Sequence, residues 1–335
     1  MIRFGIVGTG RISDWVLKGA EQDQRIQVTA VCSRTEAAAE AFIKRNPLAS
    51  EAKIYTSVEE MAADPQVDAI YIGTPNQTHC EYTLTSLKAG KHVLCEKPLA
   101  VNAAEGRRMV EAARESGCLL MEAMVSTLNP NFRNVASMLE EIAPVRHYSS
   151  YFCQYSSKYE ALKRGEVATA FKPGTAGALR DVGIYTIYPM VALFGRPQSI
   201  HGRLATVATT EGDADVYGTA FLGYEGMDAT LTWSKAYDSF QPTEIAGEKG
   251  NLILDEIHIA RKAEIVPHAA PTSGQGPKPG RTLVSEGLPY NEYYYEFKEF
   301  ADLVEQGKTE SEANSLETSL TALEIMDRLL GKDIA

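Results

Sequence analysis

The chain has 335 residues, 44% of them apolar and 23% charged, ordinary values for a globular protein of two domains or one large one. Its formal charge of −11, from 33 basic and 44 acidic residues, leaves no broad basic surface, so nucleic acid and anionic membranes are excluded as natural partners. There is no run of 18 apolar residues, no charged-then-apolar leader, and no C-x-x-C among the five cysteines, so a cytoplasmic protein with reduced, buried thiols and no membrane span is expected.

Residues 1–122 alternate short apolar runs with helical patterns, the mark of a doubly wound α/β domain with a parallel sheet. Ile2–Val7 reads as the first strand, and Arg11 and Ile12 enter a helix. Ile26–Cys32 is the second strand, an alanine-rich helix covers 36–44, and Ile54-Tyr55 adds a short strand. Residues 68–73 form the next strand, which Thr74-Pro75-Asn76 breaks before a helix over 78–89. A strand over 91–95 follows; then Asn102 caps a helix ending near Gly117, and 118–121 is one more strand.

Residues 123–335 read as a second, α+β domain whose core is a large, mainly antiparallel open sheet. A helix over 131–142 precedes alternating segments at 148–155, 200–209, 216–224 and 229–233. The turns Tyr224-Glu225-Gly226 and Glu248-Lys249-Gly250 look like hairpin connections. Residues 177–194 have a helical pattern, Pro271–Gly280 reads as a solvated loop, and helices over 292–306 and 316–330 close the chain. The last of these can return to the first domain.

Gly8-Thr9-Gly10-Arg11-Ile12-Ser13 lies between the first strand and its helix. Gly8 suits the tight turn, and Gly10 lets the backbone approach a pyrophosphate seated on the helix N-terminus. Ser13 replaces the third glycine and is still small enough for close packing. The second strand runs into Cys32-Ser33-Arg34-Thr35, with no carboxylate before Glu36 to accept from a ribose hydroxyl. Ser33 and Arg34 suit a 2′-phosphate, which favours NADP(H) and leaves NAD(H) open. The competing reading for Arg34 is a guanidinium stacked on adenine in either cofactor. The six histidines form no H-E-x-x-H or His/Cys set, so no metal site is expected.

Val93-Leu94-Cys95 leads directly into Glu96-Lys97-Pro98. The proline pushes Lys97 out of helical geometry and stops the strand at its C-terminal end, where open α/β sheets bind ligands. Downstream, Asp181 and Tyr185 stand four apart in a helical pattern and share a face. Gly183 between them suggests close approach by substrate or nicotinamide. Reducing a carbonyl with hydride leaves an alkoxide that a neighbouring acid must protonate. Tyrosine ionises near pH ~10, so it needs a nearby cation to serve near neutrality. Lys97 can supply that charge or bind the developing oxyanion, while Asp181 can orient a substrate hydroxyl or Lys97. The plainer readings are a loop lysine in solvent and a tyrosine packed in the core.

The glycine loop, Thr74-Pro75-Asn76-Gln77-Thr78-His79, the block Ala89-Gly90-Lys91-His92-Val93-Leu94-Cys95-Glu96-Lys97-Pro98-Leu99, residues 177–185 and the tail from Tyr295 to Ser311 resemble the Gfo/Idh/MocA oxidoreductase family over nearly the whole chain. The resemblance implies a Rossmann domain and Lys97 as the central catalytic residue, with Thr74, Pro75, Asn76, His79 and Glu96 lining the nicotinamide half of the cofactor. It also implies a C-terminal sheet used for a homodimer or homotetramer. Inositol-type members carry histidine where this chain has Tyr185. That tyrosine and Met121-Glu122-Ala123-Met124 resemble the branch of dimeric dihydrodiol dehydrogenase and NADP-linked D-xylose dehydrogenase. The branch's Trp-Thr-Arg run is Val125-Ser126-Thr127 here, so the substrate wall differs. The expected activity is an NADP(H)-dependent dehydrogenase or reductase acting on a small carbohydrate, polyol, diol or related carbonyl. A dinucleotide-sensing regulator, and an enzyme whose tightly held cofactor shuttles between two sugars, are the alternatives.

Overall fold

Six short apolar runs pair side by side: Ile2–Val7 (β1), Ile26–Cys32 (β2), Lys53–Tyr55 (β3), Ala69–Ile72 (β4), His92–Glu96 (β5) and Leu120–Ala123 (β6). All are parallel, in the order β3-β2-β1-β4-β5-β6. Helices cover both faces, which is why β4 is buried along its whole length instead of alternating. The computed structural model describes residues 1–268 and 280–331. Apart from Gly280, the loop expected over Pro271–Gly280 lies outside the described residues.

Capping residues set the helix starts. Thr35 and Ser57 accept from Ala38 and Glu60, and Asn102 accepts from Glu105, with Gly117 at φ +66 ending that last helix. Cys118 and Leu119 are used in leaving the helix, Leu119 donating to His92 Nδ1 at 2.9 Å, so β6 begins two residues later than the apolar run suggests. The helix Tyr294–Glu305 belongs with this sheet: Phe297 and Phe300 both sit 5.3 Å from Phe4 on β1. The first compact unit is accordingly Met1–Val125 with Pro289–Leu323.

Registry places the functional corners. Val7 pairs with Cys32 and with Ile72, and Ile72 pairs with Cys95. The segments that follow, beginning at Gly8, Ser33, Gly73 and Glu96, therefore leave the sheet along one edge. Because β1 neighbours both β2 and β4, the strand order reverses there, and such a crevice binds ligands in open α/β sheets.

The second unit, Ser126–Leu288 and Glu324–Ala335, is built on eight strands. They are Val145–Cys153 (β7), Ser199–Thr209 (β8), Gly212–Tyr224 (β9), Met227–Ser234 (β10), Thr243–Gly247 (β11), Gly250–Leu254 (β12), Lys262–Pro267 (β13) and Thr282–Glu286 (β14), in the order β14-β13-β12-β11-β7-β10-β9-β8. Both expected turns are hairpin connections, β9 to β10 and β11 to β12. β7 and β10 run parallel, and the other described pairs are antiparallel. The last two strands and a short helix at Tyr159–Lys163 were not anticipated. On β10, Ala229, Leu231 and Trp233 are buried at alternate positions, the period of a strand with one covered face.

Two helices differ from the sequence reading. The span 131–142 breaks into Pro130–Ser137 and Leu139–Ile142, because Met138 turns its N–H onto Val135 and leaves helical geometry. Residues 177–194 begin with a wide π turn, Leu179–Gly183, before the α-helix Ile184–Phe194. The buried Asp215 of β9 accepts the Leu179 N–H at 2.6 Å, and Gly177, at φ +120, leaves no room for a side chain beside it. Such single wide turns recur at functional sites.

Candidate active site

The glycine loop has a closed side and an open side. Gly8 has φ +100, and a Cβ there would lie 2.6 Å from the Gly73 carbonyl oxygen, so both the turn and the neighbouring strand require glycine. At Gly10, the uncapped N-terminus of the helix Arg11–Ala20, no described atom lies within 4 Å of a Cβ's position. That space, next to helix N–H groups without side-chain acceptors, fits a phosphate. Ser13 is fully buried and donates its hydroxyl to Gly8 O at 2.8 Å, so it ties the loop as well as replacing a glycine. Thr9 and Ser33 hydroxyls meet at 3.2 Å, joining the ends of β1 and β2. Arg34 and Arg11 are exposed, Arg11 lies 6.0 Å over Trp15, and Ile12 is half-buried. Arg45, from the helix Glu36–Arg45, braces the loop by donating to Thr9 O at 2.8 Å and to Asp14 at 2.9 Å.

At the end of β5, Glu96 is buried between Tyr71, which donates to it at 2.8 Å, and the Lys97 backbone N–H at 3.2 Å. Burial and the Glu96 charge push the Tyr71 pKa well above its ordinary value, which keeps it a donor. His79 is fully buried, with its ring nitrogens each 2.9 Å from a carbonyl oxygen, Nε2 on Thr74 and Nδ1 on Pro98. Burial lowers its pKa, and a neutral ring has one N–H, so it donates to one of these carbonyls and packs against the other, between the Thr74-Pro75-Asn76 corner and the Lys97-Pro98 corner. Glu122 of β6 accepts the Leu99 N–H at 2.9 Å. Burial raises its pKa to about 7, assisted by Glu96 and opposed by Ser319, Leu99 and Lys97. Glu296, also buried, is raised well above the usual carboxylate range by burial and by Glu96, with Lys97 opposing. Half-buried Lys97 is thus the cation of an acidic nest.

Asp181 and Tyr185 belong to the second unit. Asp181 lies inside the wide turn and Tyr185 in the first turn of the α-helix that follows. The tyrosine is half-buried, its ring edge-on to Phe152 of β7 at 5.3 Å and to His258 at 6.1 Å, and those two rings stack at 4.3 Å. Asp181 forms an ion pair with Lys235, at the end of β10. At Gly183, where the sequence suggests close approach by substrate or nicotinamide, the group packed against the backbone is Trp233: a Cβ at Gly183 would lie 3.0 Å from its ring. Gly218 on β9 presses the same ring from another side, so two glycines make room for one buried indole. Val125-Ser126-Thr127 opens a buried helical turn, Val125–Leu128. Sequence reading missed Arg45, Lys235, Phe152 and His258, for each reaches its partner through strand pairing or helix packing with no local motif.

Family models match on both halves: an oxidoreductase family with an NAD-binding Rossmann fold over residues 2–124, and the GFO/IDH/MocA C-terminal domain over 132–253. A scyllo-inositol 2-dehydrogenase (NADP(+)) of Bacillus subtilis (strain 168) is 40% identical over 330 residues, covering 98% of this chain and 95% of that one. The chain belongs to the Gfo/Idh/MocA oxidoreductase family. Within that family, a trans-1,2-dihydrobenzene-1,2-diol dehydrogenase of Danio rerio is 29% identical across 97% of this chain and 95% of its own. A 3-ketoreductase from Actinomadura kijaniata shares the fold, with a TM-score of 0.82 at 24% identity over 99% of this chain and 98% of that one. This Gfo/Idh/MocA member is a nicotinamide-dependent oxidoreductase. Among the described residues no helix is long and apolar enough to cross a membrane.

Proposed function

We propose that the protein transfers hydride between NADP(H) and the carbinol carbon of a sugar, cyclic polyol or diol, with Tyr185 carrying the proton. The observation that supports this most is the row of strand ends: the glycine loop, Thr74 and Lys97 leave the sheet along one edge. A lysine on that edge stands beside the cofactor's crevice and not on an unrelated surface. Ser33 and the exposed Arg34, with no carboxylate before Glu36, suit a 2′-phosphate, and the Bacillus subtilis relative is named for NADP(+).

A bound nicotinamide would supply or accept the hydride. In the reductive direction the substrate oxygen gains its proton from the Tyr185 phenol, and Lys97 lowers the cost of the alkoxide and of the phenolate left behind. In the oxidative direction the same oxygen returns the proton to Tyr185. Asp181, paired with Lys235, accepts from a substrate hydroxyl and sets which carbinol is presented. The Glu96–Tyr71 bond and the His79 clasp hold the Lys97 corner. Assembly as a homodimer or homotetramer through the β7–β14 sheet belongs to the same proposal.

The test is a panel of inositols, aldoses and trans-diols with NADP+ and NAD+, followed by reduced-nicotinamide absorbance. Turnover of a polyhydroxylated ring with NADP+ preferred supports the reading; no turnover across the panel with either cofactor, despite tight dinucleotide binding, would overturn it.

A further inference from the structure

Lys235 is 5% exposed. Burying an ammonium is costly unless its hydrogen-bonding capacity is met. Here Nζ pairs with the Asp181 carboxylate, donates to Ala170 O at 3.2 Å and lies 4.6 Å over the ring of fully buried Phe171. Its backbone is fixed too, with the Lys235 N–H donating to Val216 O at 2.8 Å. The ammonium therefore has a set position.

The pair is asymmetric. The Lys235 side chain is 6% exposed and that of Asp181 is 41% exposed. Here the cation is sealed and the anion is presented. The charged surroundings come from three elements: Arg180, buried on the same wide turn as Asp181; Asp215 of β9, whose carboxyl feels both Arg180 and Lys235; and Lys235 after β10. Tyr185 follows on the helix, with His258 beside it.

We propose that Lys235 is a positioning residue that fixes Asp181 as an ionised carboxylate, one oxygen held from behind, for a hydroxyl of the substrate. This rests on the reading of Asp181 as substrate-facing. Lys235 itself touches neither substrate nor cofactor; it acts through Asp181. Without it, Asp181 loses a countercharge and a tie on its rotamer, so both substrate binding and the pH at which the carboxylate works should move.

The experiment compares Lys235→Met, Lys235→Arg and Asp181→Asn in the intact protein with its best substrate. Substrate KM, cofactor KM and the pH profile of kcat/KM are measured, alongside thermal melting. Lys235→Met is expected to raise substrate KM by about tenfold or more, as loss of a charge-assisted interaction does. Cofactor KM should hold, while the acid limb of the profile moves up by about one pH unit. Lys235→Arg should restore much of both, and Asp181→Asn should lose the substrate KM without showing that limb. If Lys235→Met does not fold, Lys235→Gln keeps a donor without the charge and is read in the same way. A lower melting temperature with unchanged KM and acid limb, while Asp181→Asn is impaired, would overturn the role of Lys235 alone. An Asp181→Asn variant with normal KM would overturn both this role and the substrate-facing reading of Asp181.

Discussion

Replacing Glu122 with glutamine should make the protein more stable at pH 8 while changing little at pH 4. The carboxyl is 1% exposed, and burial, with Glu96 adding to it, moves its pKa from the ordinary 4.5 to about 7. A folded-state pKa raised above the unfolded value contributes stability that is fully present below 4.5 and is lost as pH rises through about 7. At about 1.4 kcal/mol for each pH unit between those values, the loss is on the order of 3 kcal/mol. Glutamine keeps an acceptor for the Leu99 N–H, now 2.9 Å from the carboxylate, and cannot ionise. The raised pKa of Glu296 acts with the same sign in both proteins and cancels in the difference. Urea denaturation followed by far-ultraviolet circular dichroism, at half-unit steps from pH 4 to 8.5, measures the effect. The two stability curves should diverge between about pH 5 and 7, with the variant higher at the alkaline end. Parallel curves would show that the carboxyl ionises normally in the fold and would refute the reasoning.

Gly8→Ala should cost about 1–3 kcal/mol, because the residue is held at φ +100 against the Gly73 carbonyl. Gly10→Ala should leave stability within about 0.5 kcal/mol and still weaken NADPH binding, since its Cβ fills only the open side of the loop; urea melts and fluorescence titration separate the two. Gly183→Ala drives a methyl to 3.0 Å from the Trp233 ring, which Gly218 confines from another side, so a loss of about 1–3 kcal/mol and altered tryptophan fluorescence are expected. Arg34→Ala should raise the KM for NADPH about tenfold or more and leave that for NADH nearly unchanged; equal effects on both would remove the 2′-phosphate assignment.

Where the sequence was legible, a local rule coincided with the fold. The first unit's strands are short, mostly apolar runs between glycine or polar breaks, and Thr35, Asn102 and Gly117 are capping residues whose positions need no tertiary information. The glycine loop was legible because Gly8 answers a steric demand and Gly10 an absence of one. The second unit was less so. Lys262–Pro267 and Thr282–Glu286 are short strands toward the sheet's edge, with mixed polar and apolar faces that carry little periodicity. The wide turn at Leu179–Gly183 begins at a residue whose N–H donates to Asp215, on a strand remote in sequence. Gly183 reads in the sequence as a point of close approach, and the group packed there is Trp233, which only the sheet register brings to it. Lys235 illustrates the same limit, since one lysine after a strand looks like any surface lysine until its burial is seen.

The most direct test of the proposed chemistry is the turnover of Tyr185→Phe and Lys97→Met, measured beside their affinity for NADPH. Removing the proton carrier, or the cation that assists it, should lower kcat by a factor of about 10² or more while NADPH affinity stays within several-fold. Wild-type turnover in either variant would contradict the assignment.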